Sequence, residues 1–461
     1  MGAGLYGKKY VSGPSDFLVA GRGIGLYLGI STLAATEIGT VTFMYYAQLG
    51  YTAGFASFVN GLIAGTVMIV IGSTGFIIKR LREMQLMTIP EFFERRYSRN
   101  LRVLTGVLVA TGGILNMGVF LKIEGTFLAI ISGIPMEYLK VVMTGILLLE
   151  LAYTVLGGMV SVVITDFIQF VALSLGALVV TGLSIHAAGW QNLHDAVYKS
   201  MGARGFDPVA SSSFGWTFIA FQILFWLAIN TCWQTTAMRT FSTSDAEISR
   251  KVFRWTGFIF LGRGMLPMLW GIAALAMLGP GQDSLSAMPM MLHRILPSGL
   301  RGIVVAGMLA ATMSVNSSYL LGWSSVIAQD IVGPLCRNPL SPRAQVALNR
   351  LTNLFVSLFV MFWGLWYTLP GPAYFYLNIT ATVFVGGSFV AIAGGLYWKR
   401  ANIAGGYAAM LGGAAGSLAF FVLDWPASRA GFGAFALAAV GLVAGSLLGK
   451  ARETSDEFPN I

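Results

Sequence analysis

The chain has 461 residues, of which 56% are hydrophobic and 10% charged, with a mean hydropathy of +0.73. A water-soluble surface takes about 25% charged residues, so a soluble globular fold is excluded and lipid must solvate most of the outside. The net charge of +10 would favour nucleic acid in a soluble protein. Here the basic residues cluster in short segments between apolar stretches, the pattern of a membrane protein, which removes nucleic acid as a partner.

In chain order, residues 1–24 are polar and Gly-rich, carry Lys8 and Lys9, and lack the apolar core of a cleavable signal. They are read as a cytoplasmic segment. About 12 stretches then have the roughly 20 apolar residues that cross a bilayer: 25–48, 52–78, 103–131, 137–156, 159–187, 215–232, 256–279, 302–327, 349–368, 373–397, 403–423 and 432–449. With the N-terminus in the cytoplasm, 21 of the 29 Lys and Arg fall inside and 6 outside, and Lys122 and Arg263 lie within spans. That asymmetry predicts a multi-pass protein of the cell membrane in this orientation. Cys232 and Cys336 fall at cytoplasmic span ends, where disulfides are rare. His186, His194 and His293 fall in external segments without metal-ligand spacing.

Two spans are too polar to be continuous lipid-facing helices. The first carries Ser31, Thr32, Thr36, Glu37, Gly39, Thr40 and Thr42; the sixth carries Asn230 and Thr231 and runs into Trp233, Gln234, Thr235 and Thr236. Irregular backbone at membrane depth is tolerated where it lines a cavity. Broken helices at matching places in two halves mark a transporter's binding site.

The eighth span reads Ala310-Ala311-Thr312-Met313-Ser314-Val315-Asn316-Ser317-Ser318. Ser314, Ser317 and Ser318 share one helix face. A row of hydroxyls suits a hard cation that prefers oxygen, although small residues also permit close helix packing. Glu37 inside the first span is costly in lipid and must face a cavity or partner; it sits beside an ion or titrates. Lys122 and Glu124, two apart on the third span, do not share a face, so at least one points inward; Lys122 either faces the interior or snorkels outward. Asn60, Asn116, Asn230, Gln234 and Asn378 are polar groups expected to face the cavity. Trp226 is either a stacking surface or an interfacial anchor. Glu150 and Arg263 have no identifiable partner.

Four stretches resemble the sodium:solute symporter family, in the family's order. They are Ser15-Asp16-Phe17-Leu18-Val19-Ala20-Gly21-Arg22, Thr88-Ile89-Pro90-Glu91-Phe92-Phe93-Glu94-Arg95-Arg96-Tyr97, Gly157-Gly158 with Thr165-Asp166-Phe167-Ile168-Gln169, and Gly395-Leu396-Tyr397-Trp398-Lys399-Arg400-Ala401-Asn402. The resemblance covers about residues 15–415. It implies an all-α membrane protein of the LeuT type, with two inverted five-helix repeats forming a core over 25–398 and additional helices and a short tail over 399–461. Many members carry a further helix before the first of these stretches, and this chain is expected to lack it.

For the main sodium site, the resemblance implies Ala35 and Ile38 on the first broken helix and Ala311, Ser314 and position 315 on the eighth. Val315 departs from the pattern by offering methyl groups where a hydroxyl is usual. A second ion site found in sialic-acid transporters of the family maps onto Asp166, Ser314, Ser317 and Ser318, all present. By the same resemblance, Lys122 lies a few residues from a basic residue that holds a substrate carboxylate, and Asn378 matches a sugar contact of galactose symporters. Glu37, Asn60, Lys122, Glu124, Trp226, Asn230, Gln234 and Asn378 are the candidate substrate contacts. The expected function is sodium-coupled symport of a small organic solute by alternating access, with Na+ as coupling ion and no organic cofactor. Proton coupling or an uncoupled facilitator is the alternative that Val315 keeps open. No nucleophile–base pair or metal cluster that would make a membrane enzyme is visible, and oligomeric state is left open.

Overall fold

The computed structural model describes residues 14–211, 213–336, 340–369 and 371–449, without the side chains of 14, 16, 17, 150–161 and 164. Lys8, Lys9, Arg337, Lys450 and Arg452, and the side chains of Asp16, Phe17 and Glu150, lie outside the described set. Among the described residues the protein is all helix, apart from one isolated bridge between Ile24 and Thr243.

The helices that matter here are α1 (Leu26–Glu37), α2 (Thr40–Ala53), α3 (Phe58–Thr74), α4 (Ile89–Arg96), α5 (Arg99–Met117), α6 (Phe120–Ser132), α7 (Leu139–Ala188), α8 (Trp190–Met201), α9 (Trp216–Cys232), α10 (Gln234–Ser242), α11 (Ala246–Leu278), α12 (Ser298–Val326), α13 (Pro342–Trp366), α14 (Ala373–Tyr397), α15 (Ile403–Val422) and α16 (Ala427–Leu448). Among the described residues nine helical stretches are long and apolar enough to cross a membrane, and the bent pair α9–α10 makes a tenth.

The twelve expected spans are redistributed for two reasons. The first is broken, so α1 has only 12 residues, while α2 continues through one turn of 3-10 helix into α3, making a single stretch, Thr40–Thr74. The fourth and fifth are one run of helix, α7, of 50 residues. The Gly157-Gly158 pair, expected to separate them, weakens a helix by about 1 kcal/mol per glycine but removes no hydrogen bond as proline would.

Both polar spans break where their composition points. Ile38 (φ −111°, ψ 100°) and Gly39 (φ −140°, ψ 179°) are extended between α1 and α2. Trp233 (φ −68°, ψ 124°) is extended between α9 and α10, which bend by 49° there. At Gly39 a Cβ would sit 2.6 Å from Val315 Cγ2, so glycine lets the break press against α12. Around this centre α11 packs along α2 and α3, α14 packs on α5, α9, α15 and α16, and α7 packs on α1 and α12.

Candidate functional site

Between the two breaks lies a narrow cavity of about 80 Å³. Thr36, Glu37, Val41, Thr42 and Tyr45 line it from α1 and α2, Phe225, Trp226, Ile229 and Trp233 from α9 and its end. Val315 and Tyr319 come from α12, Asn378 and Tyr374 from α14, and Arg263 from α11. A break gives a cavity polar groups without side chains. The last four carbonyls of α1 have no partner in their own helix, and they form the negative end of its dipole. Among the described residues, one of them accepts from a side chain: Thr42 Oγ1 donates to the Glu37 carbonyl at 2.9 Å.

Of the expected substrate contacts, Glu37, Trp226 and Asn378 line the cavity, together with Asn116. Glu37 Oε1 accepts from Thr236 Oγ1 at 3.1 Å and Thr235 Oγ1 at 3.3 Å, and its Oε2 lies 3.8 Å from Arg263 Nη2. The structure places the others elsewhere. Lys122 Nζ donates to the Tyr367 carbonyl at 3.3 Å. The Glu124 carboxylate accepts from Asn316 Nδ2 at 3.0 Å. Asn60 Nδ2 caps the Ser57 carbonyl of its own helix at 3.0 Å, and its Oδ1 accepts from Tyr374. Gln234 Oε1 accepts from the Ile89 N–H of α4 at 3.0 Å. Asn230 is buried but is not among the cavity-lining residues. Lys122, Glu124, Asn60 and Gln234 thus each meet a backbone or side-chain partner outside the cavity wall, as burial of polar groups favours.

The residues expected at the ion sites converge below the cavity. Asp166 is fully buried; Thr32 Oγ1 donates to its Oδ2 at 2.6 Å and Ser314 Oγ to its Oδ1. Ser317 Oγ donates to the Ser314 carbonyl at 3.0 Å. Ser318 Oγ accepts from Arg239 Nη2 at 2.6 Å, and that same nitrogen lies 3.5 Å from Asp166 Oδ2. Arg239 and Thr32 are therefore part of this cluster, and sequence reasoning missed both. Arg239 is one of the 21 basic residues counted on the cytoplasmic side from the sequence, because the polar run after Cys232 ends the apolar span. It is instead 2% exposed on α10. A signal was present: a second half-helix carries its own buried face, and Asp166 needed a cationic or hydroxyl partner.

Ala35, Ile38 and Ala311 are buried where α1 meets α12. Thr312 Oγ1 donates to Thr40 Oγ1 at 3.0 Å, and Thr40 Oγ1 to the Met308 carbonyl at 2.9 Å, which pins the break to α12. Val315 closes the same junction with methyl groups against Gly39. Arg263, which had no partner in the sequence, faces Glu37 and the Tyr45 hydroxyl at 3.3 Å.

A sequence profile of the sodium:solute symporter family matches residues 17–413. The chain belongs to this family. It is a sodium-coupled secondary transporter of a small solute. It is 25% identical to a sodium/glucose cotransporter of Vibrio parahaemolyticus over 88% of this chain and 80% of that protein. It is 26% identical to the bovine sodium/myo-inositol cotransporter 2, of which it spans 65%. It is 22% identical to the sodium/sialic acid symporter of Aliivibrio fischeri. A substrate-bound, outward-open sodium-coupled sialic acid symporter superposes with a TM-score of 0.82 at 20% identity, covering 98% of this chain and 96% of that one. Mhp1, a nucleobase-cation-symport-1 family transporter, superposes at 0.60. The symporter fold is thus the LeuT type.

Proposed function

We propose that this symporter carries its solute in the cavity between the two helix breaks and its sodium at the junction of α1, α7 and α12. The observation that carries the reading is the convergence of Asp166, Thr32, Ser314 and Ser318 on one buried point of α12, directly below a cavity lined by both breaks. Carboxylate and hydroxyl oxygens replace the hydration shell of sodium. The free carbonyls at the end of α1, Ala35 among them, and the Ala311 carbonyl offer a second set of oxygens nearer the solute. Ion and solute then favour the same conformation, and that shared preference is the coupling.

Arg239 counts in this mechanism. It neutralises Asp166 in the present arrangement, so sodium at Asp166 displaces the guanidinium or shares the carboxylate with it. Binding of the ion on α7 and α12 is in this way sensed on α10, one of the two half-helices that must move. The N-terminus is placed in the cytoplasm by the Lys and Arg asymmetry, and residues 25–398 form the transporter core. A second reading, proton coupling, is favoured by one observation: Val315 supplies no oxygen at the α1–α12 junction.

The test is the purified protein in proteoliposomes. Under the sodium reading, a sodium gradient drives uptake of a solute, potassium does not replace it, and a pH gradient alone is silent. Uptake driven by a pH gradient without sodium overturns the assignment in favour of protons.

A further inference from the structure

One cation in the wall of the solute cavity is short of acceptors. Arg263, on α11 in mid-span, has a side chain 5% exposed. Among the described residues its Nε and Nη1 have no hydrogen-bond partner. Its Nη2 makes one 3.3 Å contact with the Tyr45 hydroxyl, and the ion pair to Glu37 is long, at 3.8 Å. The guanidinium lies over Phe260 at 4.5 Å, Trp226 at 5.7 Å and Tyr46 at 6.0 Å. Those rings hold the cation in place without accepting its protons in the plane. Trp226 and Asn378 are buried in the same wall against the Tyr374 hydroxyl, which donates to Gln222 Oε1 at 2.8 Å.

A buried donor left unmade costs about 1–3 kcal/mol, more on a charged group, and an arginine in a membrane interior is retained for function. Glu37 faces only Nη2 of Arg263, at 3.8 Å, and its Oε1 is turned to the hydroxyls of Thr235 and Thr236, so the Nε and Nη1 edge of the guanidinium is left open. What completes this wall is an acceptor-rich group, and the planar guanidinium fork matches a carboxylate. At roughly 10–15 Å³ for each water-sized group, a cavity of about 80 Å³ has room for a short solute.

Building on the assignment of this cavity to the solute, we infer that the symporter's substrate is a short-chain carboxylate whose carboxyl group is held by Arg263. Lys122, the basic residue favoured by the sequence, is committed to the Tyr367 carbonyl and takes no part.

The inference is tested on the full-length purified protein by thermal shift, in sodium and in potassium. The probes are lactate, pyruvate and propionate, set against glycerol, glucose and myo-inositol. The expected result is sodium-dependent stabilisation by at least one carboxylate and by none of the neutral solutes. The apparent Kd for that carboxylate should weaken tenfold or more in Arg263→Gln and recover in part in Arg263→Lys. The comparison within the wild-type protein stands even if Arg263→Gln does not fold. Sodium-dependent stabilisation by a neutral solute alone overturns the carboxylate while leaving symport intact. Stabilisation by a carboxylate equally in sodium and potassium keeps the carboxylate and overturns sodium coupling. No stabilisation by any probe overturns both.

Discussion

Asp166 has two hydroxyl donors and one guanidinium around a fully buried carboxylate. Asp166→Asn should weaken sodium affinity tenfold or more, measured as the sodium concentration that half-maximally protects the protein against heat. Because that change also strands Arg239, it should cost several kcal/mol of stability, about 3–5 for a broken buried pair. Ser314→Ala is the cleaner test. It removes one hydroxyl and no charge, and it should weaken sodium binding with little change in the sodium-free melting temperature. If Ser314→Ala leaves sodium protection untouched, the ion does not sit on this face of α12. Val315→Ser adds a side-chain oxygen at a position that has only methyl groups, and should tighten apparent sodium affinity in the same titration. The serines were legible in the sequence because their spacing puts hydroxyls on one face, and Asp166 through the resemblance to the sodium:solute symporter family. Arg239, Arg263 and Thr32 were not. Their relevance comes from partners 79, 226 and 134 positions away (Ser318, Glu37 and Asp166), and no spacing rule reaches that far.

Close helix contact in lipid depends on small residues, because backbone approach replaces the hydrophobic effect as the source of packing energy. A methyl group at Gly271 of α11 would overlap the Ala47 carbonyl of α2, and one at Gly50 would overlap the Met268 carbonyl. Lower on the same interface, Gly61 and Gly65 of α3, a small-xxx-small pair, meet Gly264 and Gly257 of α11. Gly271→Val should therefore force α2 and α11 apart and lower stability by about 1–3 kcal/mol, the usual cost of overpacking. Since α2 carries the cavity wall from Val41 to Tyr45, solute binding should fall with it. The check is a melting curve with and without bound solute; an unchanged melt means α2 and α11 are not so closely fixed.

The start of α11 is set by Asp245, whose carboxylate accepts the Ile248 N–H at 2.8 Å. That bond holds the Asp245 carboxyl below its ordinary value of 3.8. The stabilisation is therefore complete above the ordinary value and is lost as pH falls through the lowered one. At neutral pH, Asp245→Ala should cost about 1 kcal/mol, as for other N-caps, and variant and wild type should converge in acid. The two breaks at Ile38–Gly39 and Trp233 were readable from polar composition alone. The continuity of α7 was not, since glycine pairs permit a break without requiring one.

At the scale of the whole molecule, the turn that follows α12 is fastened by a buried clasp. Asp330, on a π-helical turn after α12 (Ile327–Val332), accepts from Arg102 Nε of α5 at 2.7 Å and from Thr88 Oγ1 at the start of α4 at 2.9 Å. Arg102 also pairs with Glu94 of α4. Arg96 donates to the carbonyls of Gly395 at 2.8 Å and Ala401 at 2.9 Å, tying α4 to the end of α14. Such π turns collect at functional sites, and this one places α4 as a bolt across α5, α10, α12 and α14. Cys232, fully buried at the α9–α10 break, sits in the apolar cluster with Phe92, Phe93 and Leu101 behind that bolt. In a Cys336→Ser background, Asp330→Asn should speed maleimide labelling of Cys232 several-fold, and sodium should slow labelling in the unaltered protein. Equal rates in all three conditions would mean the clasp does not govern opening at this end.

By itself, the sequence determined the solvent and the class, and offered a row of hydroxyls suited to an ion. Those follow from quantities that are local or summed along the chain: apolar run length, the charge asymmetry of the connecting segments, hydroxyls at helical spacing, and polar residues that mark helix breaks. The tertiary structure alone decided which polar groups serve the cavity and which are spent elsewhere. Lys122, Glu124, Asn60 and Gln234 looked equivalent to Glu37, Trp226 and Asn378 as polar or aromatic groups at membrane depth. A buried polar group takes whatever partner lies within about 3 Å, and that is fixed by how distant helices pack. The same dependence turned two arginines, one counted on the cytoplasmic side and one without a partner in the sequence, into buried residues facing Asp166 and Glu37.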